Sequence, residues 1–447
     1  MERDLTQGPI TANLLRFAFP MMVGNLLQQL YNVADTWVVG HYLGADALAA
    51  VGSSYTLMVF ITSILLGLCM GSGAAFSIQY GRRDIERLKN SIFLSFVFIA
   101  CVTVALNVVA CLGLPFIVKV LQVPSGVAPL MEDYLRIIFL GISATFLYNY
   151  FASLLRAVGN SLVPLIFLGI SAILNVILDL VFVLVFSWGV KGAAIATVIA
   201  QFVSGIGIVL YVWIRNPSLH INRRHMKWNA GIVKEIASLS FLTSMQQSIM
   251  NFGILMIQGL VNSFGTVVMA AFAAAVKINS FAYMPAQDFG NAFSTFIAQN
   301  YGAGQDNRIQ KGMKSAIWTS FLFCVTISLF VCLFARPLIG LFVQPGETEI
   351  LAVGVQYLRI EGACYFGIGL LSLLYGYYRA IHRPGISVIL TIISLGTRVL
   401  LAYTLAPIPA IGVVGIWISV PIGWLLADLT GLLYQRKLQR AKHSAVS

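Results

Sequence analysis

The chain has 447 residues, of which 59% are hydrophobic and only 10% are charged, and its mean hydropathy is +0.87. Soluble domains carry charge on about a quarter of their residues, so this composition excludes an ordinary soluble protein and indicates a polytopic membrane protein. The formal net charge of +12 would suggest a nucleic-acid partner in a soluble chain. Here the basic residues lie between apolar segments, so we expect contact with membrane lipid and none with nucleic acid.

Twelve apolar segments are long enough for the roughly 20 residues that a membrane-spanning helix requires. They predict an all-α polytopic membrane protein with helices at 14–40, 47–79, 90–113, 131–153, 162–187, 190–214, 234–262, 266–298, 313–335, 351–376, 385–407 and 411–434.

The orientation of the helices follows from the distribution of Lys and Arg, which concentrate on the cytoplasmic side of membrane proteins. Basic clusters follow predicted helices 2, 6 and 8 and fill the C-terminal tail. They are Arg82, Arg83, Arg87 and Lys89; Arg215, Arg223, Arg224 and Lys227; Arg308, Lys311 and Lys314; and Arg436, Lys437, Arg440 and Lys442. Both termini are therefore predicted to be cytoplasmic.

The sequence repeats itself. Gln79-Tyr80-Gly81 followed by Arg87 recurs as Asn300-Tyr301-Gly302 followed by Arg308, at a distance of 221 residues. Each half holds six predicted helices, an even number, so the two halves should have the same orientation in the membrane. The repeat thus predicts two parallel six-helix lobes with a central cleft, and rocking of one lobe against the other as the transport motion.

The predicted division places an amino-terminal lobe at 1–214, a basic cytoplasmic linker at 215–233, and a carboxy-terminal lobe with its cytoplasmic tail at 234–447.

Two carboxylates lie in lipid-length helices of the first half, Asp35 in helix 1 and Asp179 in helix 5, with no basic residue beside them. An aspartate at the centre of a membrane helix is unfavourable by roughly 2.5–3.5 kcal/mol and usually faces a bundle interior or a wet cavity. Asn175 lies four residues before Asp179 and therefore on the same helix face. Thr197 in helix 6 has a depth similar to both acids, roughly 9–12 Å below the outer surface.

Two carboxylates, an amide oxygen and a hydroxyl suit a hard cation or a proton, so these four residues form a candidate cation or proton site. Several converging oxygens favour a site that binds Na⁺ and at which H⁺ competes. The alternative is a structural hydrogen-bond network that holds helices 1, 5 and 6 together.

These residues also carry a resemblance. Pro20, fifteen residues before the Asp of Tyr31-Asn32-x-x-Asp35-Thr36, resembles the first helix of the multidrug and toxic compound extrusion (MATE) transporters. Asn175-x-x-x-Asp179 resembles their fifth helix. The resemblance covers nearly the whole chain. It implies an antiporter of the bacterial inner membrane and not an enzyme. Such a transporter exports amphipathic, often cationic drugs or metabolites in exchange for Na⁺ or H⁺, and it works by alternating access.

By position, Asp35, Asn175, Asp179 and Thr197 match the cation site of that family's amino-terminal lobe, and no cofactor beyond the coupling ion is expected. In helix 7, where NorM-like members carry a glutamate, this chain reads Met245-Gln246-Gln247-Ser248. The resemblance therefore does not extend to a carboxylate in that helix.

The second half has diverged from the first, because Arg398 occupies the repeat position of Asn175 and Ala402 that of Asp179. Glu361 and Asp428 lie near predicted helix ends, where we expect them to be solvated.

Pro20 removes a backbone hydrogen bond from helix 1 and can bend it, with Gly24 one turn further on, so both are predicted hinge residues. Polar and aromatic side chains in the helices are candidates for the substrate cleft, although such residues serve as often in packing. They are Gln28, Tyr31, Asn32, Tyr148, Asn149, Gln287, Asp288 and Arg398.

Two other functions compete with export by a monomeric antiporter. A lipid-linked oligosaccharide flippase shares this general architecture, but it should expose cationic groups to phosphates, whereas the first half presents acids. An intramembrane enzyme would need a nucleophile with its base or a metal cluster, and the sequence has no His-rich or Asp-x-x-Asp pattern.

Overall fold

The computed structural model describes residues 4–120, 126–343 and 346–444, and every regular element within these ranges is helical. The helices are α1 (Ile10–Leu43), α2 (Ala45–Gly81), α3 (Ile85–Val120), α4 (Ala128–Ala157), α5 (Leu162–Leu180), α6 (Gly189–Arg215), α7 (Ala230–Asn262), α8 (Thr266–Gly302), α9 (Asp306–Leu333), α10 (Ala335–Gly340), α11 (Thr348–Gly362), α12 (Tyr365–Ala380), α13 (Pro384–Leu405) and α14 (Val414–Ser444). A π-helical turn, Val181–Val185, follows α5, and two 3₁₀ turns, Pro217–Leu219 and Arg223–His225, follow α6.

Length and hydropathy agree with a membrane protein. In the described ranges, 10 helices can cross a membrane, and the pair α11–α12, bent by 49°, adds one more span. The remaining long helix, α7, has 33 residues but is interrupted by polar side chains such as Gln246 and Gln247. These eleven candidate spans, together with α7, correspond to the twelve predicted segments, and the all-α polytopic fold is confirmed.

The repeat is visible in the helix boundaries. α2 and α8 both have 37 residues, and both of their ends are offset by the 221 residues found in the sequence. Gly44 and Gly265 precede them with φ of 87° and 91°, a conformation that glycine adopts without steric strain. The two halves therefore use the same turn to enter their second helix.

The described helices pack into two units. The first unit comprises Asp4 and Phe19–Ser244. Its largest apolar core lies among α2, α3 and α4, where the buried Tyr150 hydroxyl donates to the Ile92 carbonyl oxygen at 2.6 Å. The start of α7 belongs to this unit as well, because the hydroxyls of Ser72 and Ser240 are hydrogen-bonded at 2.9 Å.

The second unit comprises Leu5–Ala18 together with the chain from Met245 onward. Leu5 is fully buried, and its N–H donates to the side-chain oxygen of Gln299 at 3.0 Å. The guanidinium of Arg308 donates to the backbone carbonyl oxygens of Gln7 and Gly8, both at 2.8 Å. These backbone contacts explain why the segment that precedes and begins α1 packs with the second unit.

The boundaries of the packing units differ from those of the predicted lobes. The predicted linker at 215–233 lies wholly within the first unit, which extends to Ser244, and the first nine residues of α1 pack with the second unit. Hydropathy locates helices but does not show which neighbours each part of a long helix contacts. The lobes as transport modules remain a prediction.

Candidate functional site

The first unit brings together the four side chains predicted to form a cation site. α1 contributes Asp35, α5 contributes Asn175 and Asp179, and α6 contributes Thr197. The carboxyl groups of Asp35 and Asp179 lie within hydrogen-bonding reach of each other. The exposed fraction is 9% for Asp35 and 0% for Asp179, so the pair is screened from bulk solvent.

The amide of Asn175 connects Asp179 to Thr197. In one orientation, the amide nitrogen donates to Asp179 Oδ2 at 2.8 Å and the amide oxygen accepts from the Thr197 hydroxyl at 3.2 Å. In the other, the nitrogen donates to Thr197 Oγ1 at 3.2 Å, and the amide oxygen faces Asp179. The first arrangement suits an ionised Asp179, which can only accept, and the second suits a protonated one, which can donate. The amide is therefore compatible with either state.

The acid pair lacks a compensating cation from the protein. Oδ1 of Asp35 and Oδ1 of Asp179 are buried, and no donor from the described part of the chain reaches them. Within the same ranges, no Lys, Arg or His side chain faces either carboxyl group. Two adjacent carboxylates destabilise each other, so this geometry requires a shared proton or a bound cation. Carboxylate, amide and hydroxyl oxygens are suitable ligands for a hard cation.

Two tyrosines complete the surroundings of the pair. The Tyr31 hydroxyl is within hydrogen-bonding reach of the Thr197 side chain and faces Asp35. Tyr134 of α4 is buried and faces both acids. The sequence predicts Tyr31 as a residue of the substrate cleft, and the spacing of four residues between Tyr31 and Asp35 places both on one face of α1. Nothing in the sequence indicated Tyr134, because its contact depends on how α4 packs.

The other cleft candidates of the first half have different surroundings. Gln28 is exposed, and the Asn32 amide donates to Gln29 at 3.3 Å. The Tyr148 hydroxyl donates to the Pro164 carbonyl oxygen at 2.9 Å and so links α4 to α5. The Asn149 amide donates within α4 to Thr145 at 2.8 Å. These bonds favour a packing role for Tyr148 and Asn149, the alternative that the sequence left open.

The second unit corrects one expectation. Glu361 and Asp428 were predicted to be solvated near helix ends, but their exposed fractions are 3% and 4%. α14 continues to Ser444, so Asp428 lies in mid-helix. Glu361 lies next to the last residue of α11, directly before the bend between α11 and α12.

The remaining cleft candidates also lie in the second unit. Asp288 is buried, and Gln287 and Arg398 are half-buried.

The predicted hinge residues lie in α1. Gly24 is buried against Leu165 and Leu168 of α5. Pro20 lies two residues after Ala18, where α1 changes from one packing unit to the other.

Known proteins share this sequence pattern and fold. The MatE family model matches residues 20–181 and 240–404, which is more than half of the chain. "Probable multidrug resistance protein YpnP" of Bacillus subtilis is 29% identical over 97% of this chain and 96% of its own length. "Probable multidrug resistance protein NorM" of Thermotoga maritima is 26% identical over 95% and 92%. A solved structure described as MATE in the bent conformation superimposes with a TM-score of 0.92 at 24% identity, covering 99% of this chain and 98% of that one.

Proposed function

Because the chain belongs to the MATE family of membrane-embedded multidrug efflux transporters, we propose that it exports amphipathic, often cationic compounds in exchange for Na⁺ or H⁺. The family consists of transporters, so the chain is not an enzyme. The observation that carries the coupling proposal is the contact between the buried carboxyl groups of Asp35 and Asp179 without a cationic partner. The oligosaccharide flippase is not favoured by any of the relatives found.

The proposed mechanism follows from the charge of the pair. With Asp35 and Asp179 both ionised and no cation between them, the site is electrostatically unfavourable. Binding of Na⁺ or a proton relieves this repulsion and draws α1 and α5 together. Release of the ion reverses the change, so the ion alters the relative stability of two conformations. We propose that these conformations open to opposite sides of the membrane, which is alternating access.

The setting of the transporter is part of the proposal. The Bacillus subtilis relative supports a bacterial inner membrane, and the distribution of basic residues supports a cytoplasmic location for both termini. A monomer in contact with membrane lipid is sufficient, because all residues of the candidate cation site come from one chain.

We expect either a Na⁺ gradient or a pH gradient to drive export, since the oxygens of Asp35, Asp179, Asn175 and Thr197 suit Na⁺ while a proton can bind the same carboxyl groups. The measurement is efflux of a fluorescent cation from proteoliposomes under a Na⁺ gradient at equal pH, and then under a pH gradient without Na⁺. Liposomes with K⁺ in place of Na⁺ are the control. Efflux that depends only on the pH gradient, with a pH dependence that Na⁺ does not shift, would contradict the multi-oxygen site.

Pro20 is the proposed hinge of α1. Proline leaves the carbonyl one turn earlier without its helical hydrogen bond, and Pro20 lies where the helix passes from one packing unit to the other. The solved structure described as MATE in the bent conformation is compatible with such a bend.

Spin labels on either side of Pro20 should show a distance that changes with pH or Na⁺, and Pro20→Ala should reduce the amplitude of that change. Asp35→Asn in the labelled protein tests the link to the ion, because it should abolish the response. If the wild-type distance is constant under both conditions, the bend is not part of transport.

A further inference from the structure

The Cβ atom of Arg398, on α13, lies in the interior of the second unit. At Gly423 of α14, an added Cβ would lie 2.3 Å from the Ser394 carbonyl oxygen and 3.6 Å from the Arg398 Cβ. α13 and α14 therefore touch at the level of Arg398, and its side chain starts at a helix–helix contact instead of pointing into lipid. The residue is seven positions before the end of α13 at Leu405, within the depth of the membrane.

Glu361 of α11 lies within electrostatic range of Arg398 and is surrounded by polar side chains. Its carboxyl group is within hydrogen-bonding reach of Tyr357 and Asn279. The Asn279 amide in turn donates to the Tyr357 hydroxyl at 3.1 Å and accepts from the Tyr365 hydroxyl. Donors from α8 and α11 thus hold the carboxyl group in place.

In the described part of the chain, Nε of Arg398 and Oε2 of Glu361 are both buried without a hydrogen-bond partner. The guanidinium of Arg398 lies within electrostatic range of Glu361, Tyr283 and Tyr357. Throughout the described ranges, however, no hydrogen bond or salt bridge of Arg398 is found, and its Nε is buried without an acceptor. Arg398 is half-buried whereas Glu361 is 3% exposed, so Arg398 is the more accessible of the two residues.

An intramembrane cation without a hydrogen-bond acceptor is unfavourable unless a ligand supplies one. Arginine presents a planar set of donors that matches the two oxygens of a carboxylate. The candidate cation site holds two acids without a basic partner, whereas the surroundings of Glu361 in the second unit include the positive charge of Arg398.

We propose that Arg398 is a specificity-determining residue that binds a carboxylate of the transported compound, with Glu361 as its electrostatic partner when no substrate is bound. This inference rests on the proposed export function and narrows its substrates to zwitterionic amphipaths, which carry a cationic and a carboxylate group.

The test compares two dyes that differ only at the carboxyl group: rhodamine 6G, an ethyl ester, and its free acid. Fluorescence anisotropy measures their binding to the purified full chain in detergent. The wild type should bind the free acid more tightly than the ester. Arg398→Gln should weaken binding of the free acid by about tenfold or more, the loss expected for a hydrogen-bonded charge pair, and leave the Kd of the ester nearly unchanged. Arg398→Lys should restore part of the difference.

Lys277→Gln is the matched control, because it removes an exposed positive charge from the same unit and should alter neither Kd. An Arg398→Gln protein that keeps the wild-type Kd for the free acid, or a wild type that does not bind the free acid, overturns the proposal. Since binding is measured without an ion gradient, this outcome is separate from failure of the proposed exchange, which shows as absence of gradient-driven efflux in proteoliposomes.

Discussion

Asp179→Asn should abolish gradient-driven export while leaving the amount of folded protein in the membrane unchanged. The substitution keeps the size of the side chain but removes the negative charge and the exchangeable proton. Asp179 is fully buried and its carboxyl group contacts that of Asp35, so the loss of one acid also removes the repulsion that ion binding is proposed to relieve. A neutral amide is less unfavourable to bury than a charge, and for this reason we expect no loss of stability.

Asp35→Asn should have the same effect, because the proposed coupling requires both carboxyl groups. Resistance of a sensitised host to toxic cations, together with efflux from proteoliposomes, gives the measurement. Asp46→Asn is the matched control, an exposed acid in the first turn of α2 that should keep wild-type export. Wild-type export from both site variants would show that the coupling site is elsewhere. Loss of folded protein would instead favour the structural hydrogen-bond network.

Most of the side chains that meet at this candidate site could be identified from the sequence. A charged residue in a long apolar segment is conspicuous, and the four-residue spacing of Asn175 and Asp179 places both on one helix face. Counting residues from the helix ends gave Asp35, Asp179 and Thr197 a similar depth, and the structure brings them together. The same rule would have added Tyr31, four residues before Asp35, to the site.

The expectation of solvation failed for two acids of the second half. Both Glu361 and Asp428 are buried; Glu361 lies directly before the bend after Gly362, and Asp428 lies in the middle of α14, which continues to Ser444. Hydropathy responds to the composition of a segment and not to its bends. The position of Tyr134 of α4 near the acid pair also depends on packing across helices, which a single sequence does not reveal.

The sequence likewise did not show that the start of α7 packs with the first unit. This assignment rests on a close approach between the backbones of α2 and α7. Gly67 and Gly71 are four residues apart on one face of α2. An added Cβ at Gly67 would lie 2.3 Å from Ser244 Cα, and one at Gly71 would lie 2.5 Å from both the Leu239 carbonyl oxygen and Ser240 Cα. Small residues at this spacing let two membrane helices touch along their backbones, so the first part of α7 packs against α2.

Gly71→Ala should therefore destabilise the protein, because the new methyl group meets backbone atoms that cannot move without shifting α7. Overpacking of this kind is unfavourable by about 1–3 kcal/mol, which exceeds the roughly 1 kcal/mol that alanine gains over glycine in helix propensity. Gly71→Leu should leave little folded protein. The measurement is the apparent thermal unfolding midpoint of the purified protein in detergent.

Gly52→Ala on the same helix is the matched control, since an added Cβ there meets no atom within 4 Å, and its midpoint should equal or exceed that of the wild type. A Gly71→Ala midpoint as high as that of Gly52→Ala would show that α2 and α7 do not touch at Leu239 and Ser240. The start of α7 would then lack the contact that assigns it to the first unit, and the change of unit near Ser244 would lose its physical basis.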